Sequence, residues 1–204
     1  MTAAPAWLAA LEADAPDVIA CWRAVESNFS GLKALRRELR DRVHTDGAPT
    51  ILAQQEAVGA QLGQMLAAMP EELLRAPGGE GDWNVAQAFA HTTAARRFLG
   101  TWAALDAGGT WPEQDAPVVT PGIPGRADAT REELAVLLEK SGRAIRRAAE
   151  RIHGHERQRC GMPHPLVGRL RCGEWLLFLG IHDCMHLEQM SNLLEADAGA
   201  GSHA

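Results

Sequence analysis

Apolar residues recur with helical spacing in four stretches of this chain, and no stretch alternates convincingly between apolar and polar as a half-buried strand does. The first stretch runs from about Thr50 to Met69, with Ile51, Val58, Leu62, Met65 and Met69 in register and Pro70 as its stop. The second runs from about Asn84 to Leu105. Its predicted inward face is Ala88, His91, Ala95, Phe98 and Trp102, and Gly108-Gly109 ends it. The third begins after Thr130, which forms a capping box with Glu133, and continues through Leu134, Leu137, Leu138, Ile145 and Ile152. The fourth spans about Gly173 to Glu195, where Trp175, His182, Gln189 and Leu193 fall within about 20° of one line and Phe178, Leu179 and His186 lie beside it. Four such stripes can bury one another without a strand, so the pattern predicts an all-α four-helix bundle over residues 49–196.

The flanks carry patterns of their own. Residues 1–48 hold an amphipathic region with Trp7, Leu11, Ile19, Trp22, Val25, Phe29, Leu32 and Leu39, broken near Asp14-Ala15-Pro16. It predicts an N-terminal helical extension packed on the bundle or on a second subunit, since its apolar face would otherwise be exposed. Between the second and third bundle helices lies a Pro- and Gly-rich link from Thr110 to Arg126. A connection of that length crosses the end of a bundle or covers a site. Residues 197–204 are small and polar and read as a flexible tail.

Composition narrows the function. At 204 residues the chain suits one domain with an appendage. A net charge of -6 argues against nucleic acid or an anionic membrane as partner, because phosphate surfaces are met with Lys/Arg stripes. The run Arg36, Arg37, Arg40, Arg42 is interrupted by Glu38 and Asp41 and reads as a solvated helix face. Cys21, Cys160, Cys172 and Cys184 form no CxxC pair, no signal peptide is evident, and no apolar run approaches the ~20 residues needed to span a bilayer. A reducing cytoplasm fits these features.

The candidate chemistry rests on three histidines. His182 and His186 are one turn apart, about 40° from each other around the helix, and His91 sits on the predicted inner face of the second helix. Buried imidazoles need partners for both ring nitrogens, and a divalent ion would meet that need for one nitrogen of each ring. Three neutral imidazoles suit zinc, nickel or copper and leave a coordination position open. Gln189 shares the histidine face and could bond a metal water or ligand, or equally another helix. Cys184, at i+2, points about 200° away from His182 and reads as packing. Asp183 and Glu188 are expected to face solvent or a partner subunit. His44, His153, His155, His164 and His203 lack comparable context, and no phosphate loop or Ser-His-Asp set can be assembled.

The order of these features resembles the DinB-like four-helix-bundle superfamily of metalloenzymes. Trp83-Asn84-Val85-Ala86-Gln87-Ala88-Phe89-Ala90-His91 is similar to its Trp-Ser-x-x-Glu-x-x-x-His signature. Pro163 to Leu170, then Glu174-Trp175-Leu176, then His182 to Gln189 are similar to its closing segment, and the likeness covers about residues 50–195. The chain departs from the pattern with Asn84 for Ser or Thr, Gln87 for Glu, and an extension of about fifty residues. The resemblance implies one divalent ion, zinc or nickel, held by His91, His182 and His186. It also implies a homodimer and a thiol-dependent S-transferase that uses bacillithiol or mycothiol on an electrophilic substrate; the helical position of Gln189 adds it to His91, His182 and His186 as a candidate catalytic residue. A catalytically silent metal-binding stress-response protein and a hydrolase using metal-activated water stand as alternatives.

Overall fold

The computed structural model describes residues 5–25, 31–77, 82–110 and 122–201. They form α1 (Ala6–Asp14), α2 (Pro16–Val25), α3 (Gly31–Arg42), α4 (Ala48–Ala68), α5 (Glu71–Leu74), α6 (Val85–Ala107), α7 (Arg131–Ile152), β1 (Arg159–His164), β2 (Gly168–Arg171) and α8 (Cys172–Gly201). Helices α4, α7, α6 and α8 pack in that cyclic order, each mainly against its two neighbours, as an all-α bundle. No helix among the described residues is long and apolar enough to cross a membrane.

Local chemistry fixes the ends of these helices. Pro49 opens α4, where a missing N–H costs nothing, and the buried Glu156 carboxylate accepts from the Ala48 N–H at 3.1 Å. Thr130 and Glu133 form the predicted reciprocal cap on α7. Asn84 and Gln87 do the same for α6: Asn84 accepts from the Gln87 N–H at 2.9 Å, and Gln87 accepts from the Asn84 N–H at 3.1 Å. The departure from Ser and Glu at these two positions therefore keeps the cap.

The N-terminal helices break at Ala15, between α1 and α2, and pack on the bundle, with α1 against α4 and α2 against both α4 and α8. Gln54 of α4 caps α2 from outside: its Oε1 accepts from the Asp17 and Val18 N–H groups at 2.8 and 3.2 Å, while its Nε2 donates to Asp17 at 2.6 Å. At Gly180 a Cβ would lie 2.8 Å from a Val18 methyl and 2.9 Å from Gln55 Nε2, so only glycine lets α2 come this close to α8. Trp7, Leu11, Ile19, Trp22 and Leu39 are buried in this contact layer.

Three features differ from the sequence reading. A two-stranded antiparallel hairpin precedes α8, with Arg159 opposite Arg171 and His164 opposite Gly168. Its inward residues, Cys160, Met162 and Leu170, are too few to produce a readable alternation. Phe98, expected inside, is 48% exposed and stands edge-on to Trp102 with ring centroids 5.6 Å apart. The inner stripe of α6 is instead Phe89, Thr92, Arg96, Leu99 and Ala103. Small residues on both flanks of α6 left the apolar centre of the helix ambiguous by pattern. Finally, α8 runs past Glu195 to Gly201. Phe29, residues 111–121 of the link and residues 202–204 lie outside the described residues.

Replacing Gly180 by Leu should destabilise the protein by about 2–3 kcal/mol through overpacking at the α2–α8 contact. Urea unfolding followed by circular dichroism measures the loss, and unchanged stability would contradict the close approach.

Candidate metal centre

The capping box at Asn84 sets where α6 begins, which puts His91 on its second turn, with the Trp83 ring 5.2 Å from the imidazole. His182 and His186 come from the middle of α8, four residues apart, with ring centroids 4.8 Å from each other. The three histidines each offer a ring nitrogen, and these atoms lie within 4.8 Å of one another. Among the described residues, this is the group of potential metal ligands that the fold assembles.

The hydrogen bonds around the rings decide which nitrogen carries a proton. His91 Nδ1 lies 2.9 Å from the Ile123 carbonyl oxygen, which can only accept, so the proton is on Nδ1 and Nε2 presents a lone pair. His186 Nδ1 likewise donates to Gln189 Oε1 at 2.9 Å, leaving a buried Nε2 with no protein partner. His182 Nδ1 is 3.8 Å from Asp183 Oδ1, and both atoms are buried without a hydrogen bond. A proton on His182 Nδ1 faces that carboxylate favourably, whereas a lone pair there would be repelled. In that tautomer all three Nε2 atoms present lone pairs to one another; in the other, His182 Nε2–H donates to His91 Nε2 across 3.2 Å.

Three converging lone pairs are unfavourable unless a cation sits between the rings. His91 Nε2 and His182 Nε2 are 3.2 Å apart. Two imidazole nitrogens bound tetrahedrally at about 2.0–2.1 Å stand about 3.3 Å from each other, so the spacing fits one ion. The buried, unpartnered His186 Nε2 is the third donor that such an ion would satisfy. Burial, followed by the charge of His182, lowers the His186 pKa to about 3, which keeps this ring neutral and able to coordinate at ordinary pH.

Sequence reasoning missed the supports behind the ligands. Asp183 does not face solvent: it is fully buried and forms an ion pair with Arg96 of α6. Arg96 also donates to the Gln55 carbonyl at 3.2 Å, and Gln55 Nε2 donates to the Leu176 carbonyl at 2.8 Å, so α4, α6 and α8 are linked behind the site. Arg96 at i+5 from His91 and Asp183 beside His182 were visible as a charge pair only once the two helices were known to touch. Ile123, in the described end of the link, acts through its backbone, which no side-chain pattern can reveal. Cys184 is buried as packing, as its helical position indicated.

The end of the link is pinned over the first turns of α6. Gly125 donates to the Gln87 carbonyl at 3.2 Å, Asn84 Nδ2 donates to the Ala127 carbonyl at 2.9 Å, and Arg75 donates to the Ala127 and Ala129 carbonyls. A Cβ on Gly125 would collide with Ala90. A cavity of about 560 Å³ opens on another side of α6, between Ala90, Thr93, Gly125, Val136 and Lys140. None of the three histidines borders it.

The family model described as the DinB superfamily matches residues 54–190, about two thirds of the chain. No curated protein and no solved structure matches the sequence.

Two measurements follow from this geometry. Arg96→Met leaves the Asp183 carboxylate buried and unpaired, and should cost about 3–5 kcal/mol in urea unfolding. In metal-free protein, the folded His186 pKa of about 3 lies below the ordinary 6.5, so the unfolded chain takes up a proton that the folded state refuses. This contribution to stability is complete above about pH 6.5 and is lost as the pH falls from 6.5 towards 3. His186→Phe should flatten that part of the stability profile, and an unchanged slope would count against the burial.

Proposed function

The chain belongs to the DinB superfamily, and on that premise we propose that His91, His182 and His186 hold one divalent ion, zinc or nickel, for thiol-dependent S-transfer. The observation that carries this reading is the convergence of three Nε2 lone pairs, with 3.2 Å between two of them. When bound, the ion supplies a Lewis acid that lowers the pKa of a thiol or water at its open position.

The chain's own residues prepare that position. The Ile123 carbonyl and Gln189 hold His91 and His186 in the coordinating tautomer, and Asp183 stands 3.8 Å behind His182 Nδ1, where outer partners of metal-bound histidines lie. The buried surroundings of His186 keep water from competing for its nitrogen. Cys184 is a poor nucleophile: burial first, then the charges of Asp183 and Glu188, push its thiol well above the usual range. The attacking sulfur therefore comes from a separate small thiol of the bacillithiol or mycothiol kind. It forms a sulfur–carbon bond to an electrophilic carbon as the bond to the leaving group breaks, and the thiol proton passes to solvent. A cluster of three ligands rather than four among the described residues supports chemistry over a purely structural ion.

Elemental analysis of protein purified without an affinity tag should find about one zinc or nickel per chain, and His186→Ala should lose it while circular dichroism stays helical. Thiol consumption with a model electrophile should require the metal, should disappear in His182→Ala, and should survive in Cys184→Ser. Activity lost in Cys184→Ser at full metal content would reassign the nucleophile. Metal-loaded protein that turns over no small thiol would favour the silent metal-binding reading.

A further inference from the structure

A fourth imidazole packs against α8, the helix that carries two of the three histidines. His164, at the end of β1, packs its ring on Phe178 at 4.7 Å and on Trp175 at 5.7 Å. Phe178 precedes His182 by four residues on α8, so His164 packs on a side chain one helical turn before the His182 ring. The two histidines are near enough for the charge of one to act on the other.

The hairpin turn fixes which edge of the His164 ring faces outward as a donor. Nδ1 accepts from the Leu166 and Val167 N–H groups at 3.2 and 3.1 Å, so its lone pair is committed to the turn. The ring proton is therefore on Nε2. That Nε2 has no protein partner among the described residues, and it is not sealed from solvent as His186 Nε2 is. Burial, and then the charge of His182, hold the His164 pKa down to about 4, so the neutral form with one directed N–H prevails at neutral pH. A half-buried ring with one edge fixed by the backbone and the other edge unpaired has more order than turn formation alone requires.

We propose that His164 is a ligand-positioning residue, its Nε2–H donating to a carbonyl or carboxyl oxygen on the same small molecule whose sulfur takes the open position at the three histidines. The inference rests on the metal reading above and names its ligand class: thiols that carry an oxygen acceptor a few atoms from the sulfur. A plain alkyl thiol reaches the ion without this bond. The contact selects among thiols and orients the sulfur without taking part in bond making.

The test uses the full chain loaded with cobalt(II), whose visible spectrum reports thiol binding without turnover. N-acetylcysteamine, with an amide carbonyl, and 1-propanethiol, without one, are titrated separately. Wild-type protein should bind N-acetylcysteamine about tenfold more tightly, the effect of one hydrogen bond. His164→Asn is the informative variant, because its Oδ1 still accepts from the turn while the Nε2–H is gone. It should take up cobalt and 1-propanethiol as wild type does and lose the tenfold preference. Equal binding of the two thiols by wild type, or a preference that survives in His164→Asn, overturns the role of His164 alone. Failure of wild-type protein to take up cobalt overturns the metal reading and this inference together.

Discussion

Two charges withdrawn from water, the Arg96 guanidinium and the Asp183 carboxylate, meet between α6 and α8 at 2% and 0% exposure. Desolvating such a pair is expensive, and an apolar pair of the same volume would often be as stable. The pair does, however, fix one helix against the other. Arg96 is one turn and a half from His91, and Asp183 is adjacent to His182, so any slide of α6 along α8 that separated the ligands would also strand two buried charges. The guanidinium reaches on to the Gln55 carbonyl, and Gln55 reaches the Leu176 carbonyl, so α4 is held in the same arrangement. Nitrogens able to hold an ion need placement to a fraction of an ångström, and this network ties together the helices that carry them.

One lone pair in that network has a further use. The Asp183 oxygen not taken by Arg96 is buried without a hydrogen bond and faces His182 Nδ1 at 3.8 Å. The carboxylate thus serves two neighbours, a cation on one helix and an imidazole on its own. Glutamine 189 plays the matching part for His186 within one turn of α8. Two side chains of α8 and one backbone carbonyl of the link therefore stand behind the outer nitrogens of the three rings.

Much of this was legible in the sequence because helical periodicity and capping are local. The capping box at Thr130, the break at Ala15 and the His182–His186 spacing each depend on residues only a few positions apart. The elements that escaped depend on contacts between distant segments. Phe98 was misplaced because alanines surround α6 on several sides, so volume and not polarity decides which flank is inner. Asp183 looked like a solvated acid because its partner lies 87 residues away. The hairpin before α8 was missed because its buried positions number too few to establish a period, and with it went the turn that gives His164 its orientation. The Asn84 and Gln87 exchanges, which depart from the family signature, are conservative in physical terms. Amide oxygens at both positions accept the same two backbone N–H groups that Ser and Glu would.

The bond from His91 to the Ile123 carbonyl carries a consequence for how this chain can vary. A backbone acceptor is indifferent to the side chain it belongs to, and Ile123 is itself 63% exposed, so natural selection has little hold on the identity of residue 123. What it must preserve is the path of the chain: the distance from the end of α6 back to its first turns, and the glycine that lets the strand of link lie against Ala90. Among descendants of one ancestor, insertions and deletions in the link should therefore be tolerated before Gly122 and rare between Gly122 and Thr130, while position 123 drifts freely. An oriented ligand can in this way depend on a segment whose letters show no sign of it.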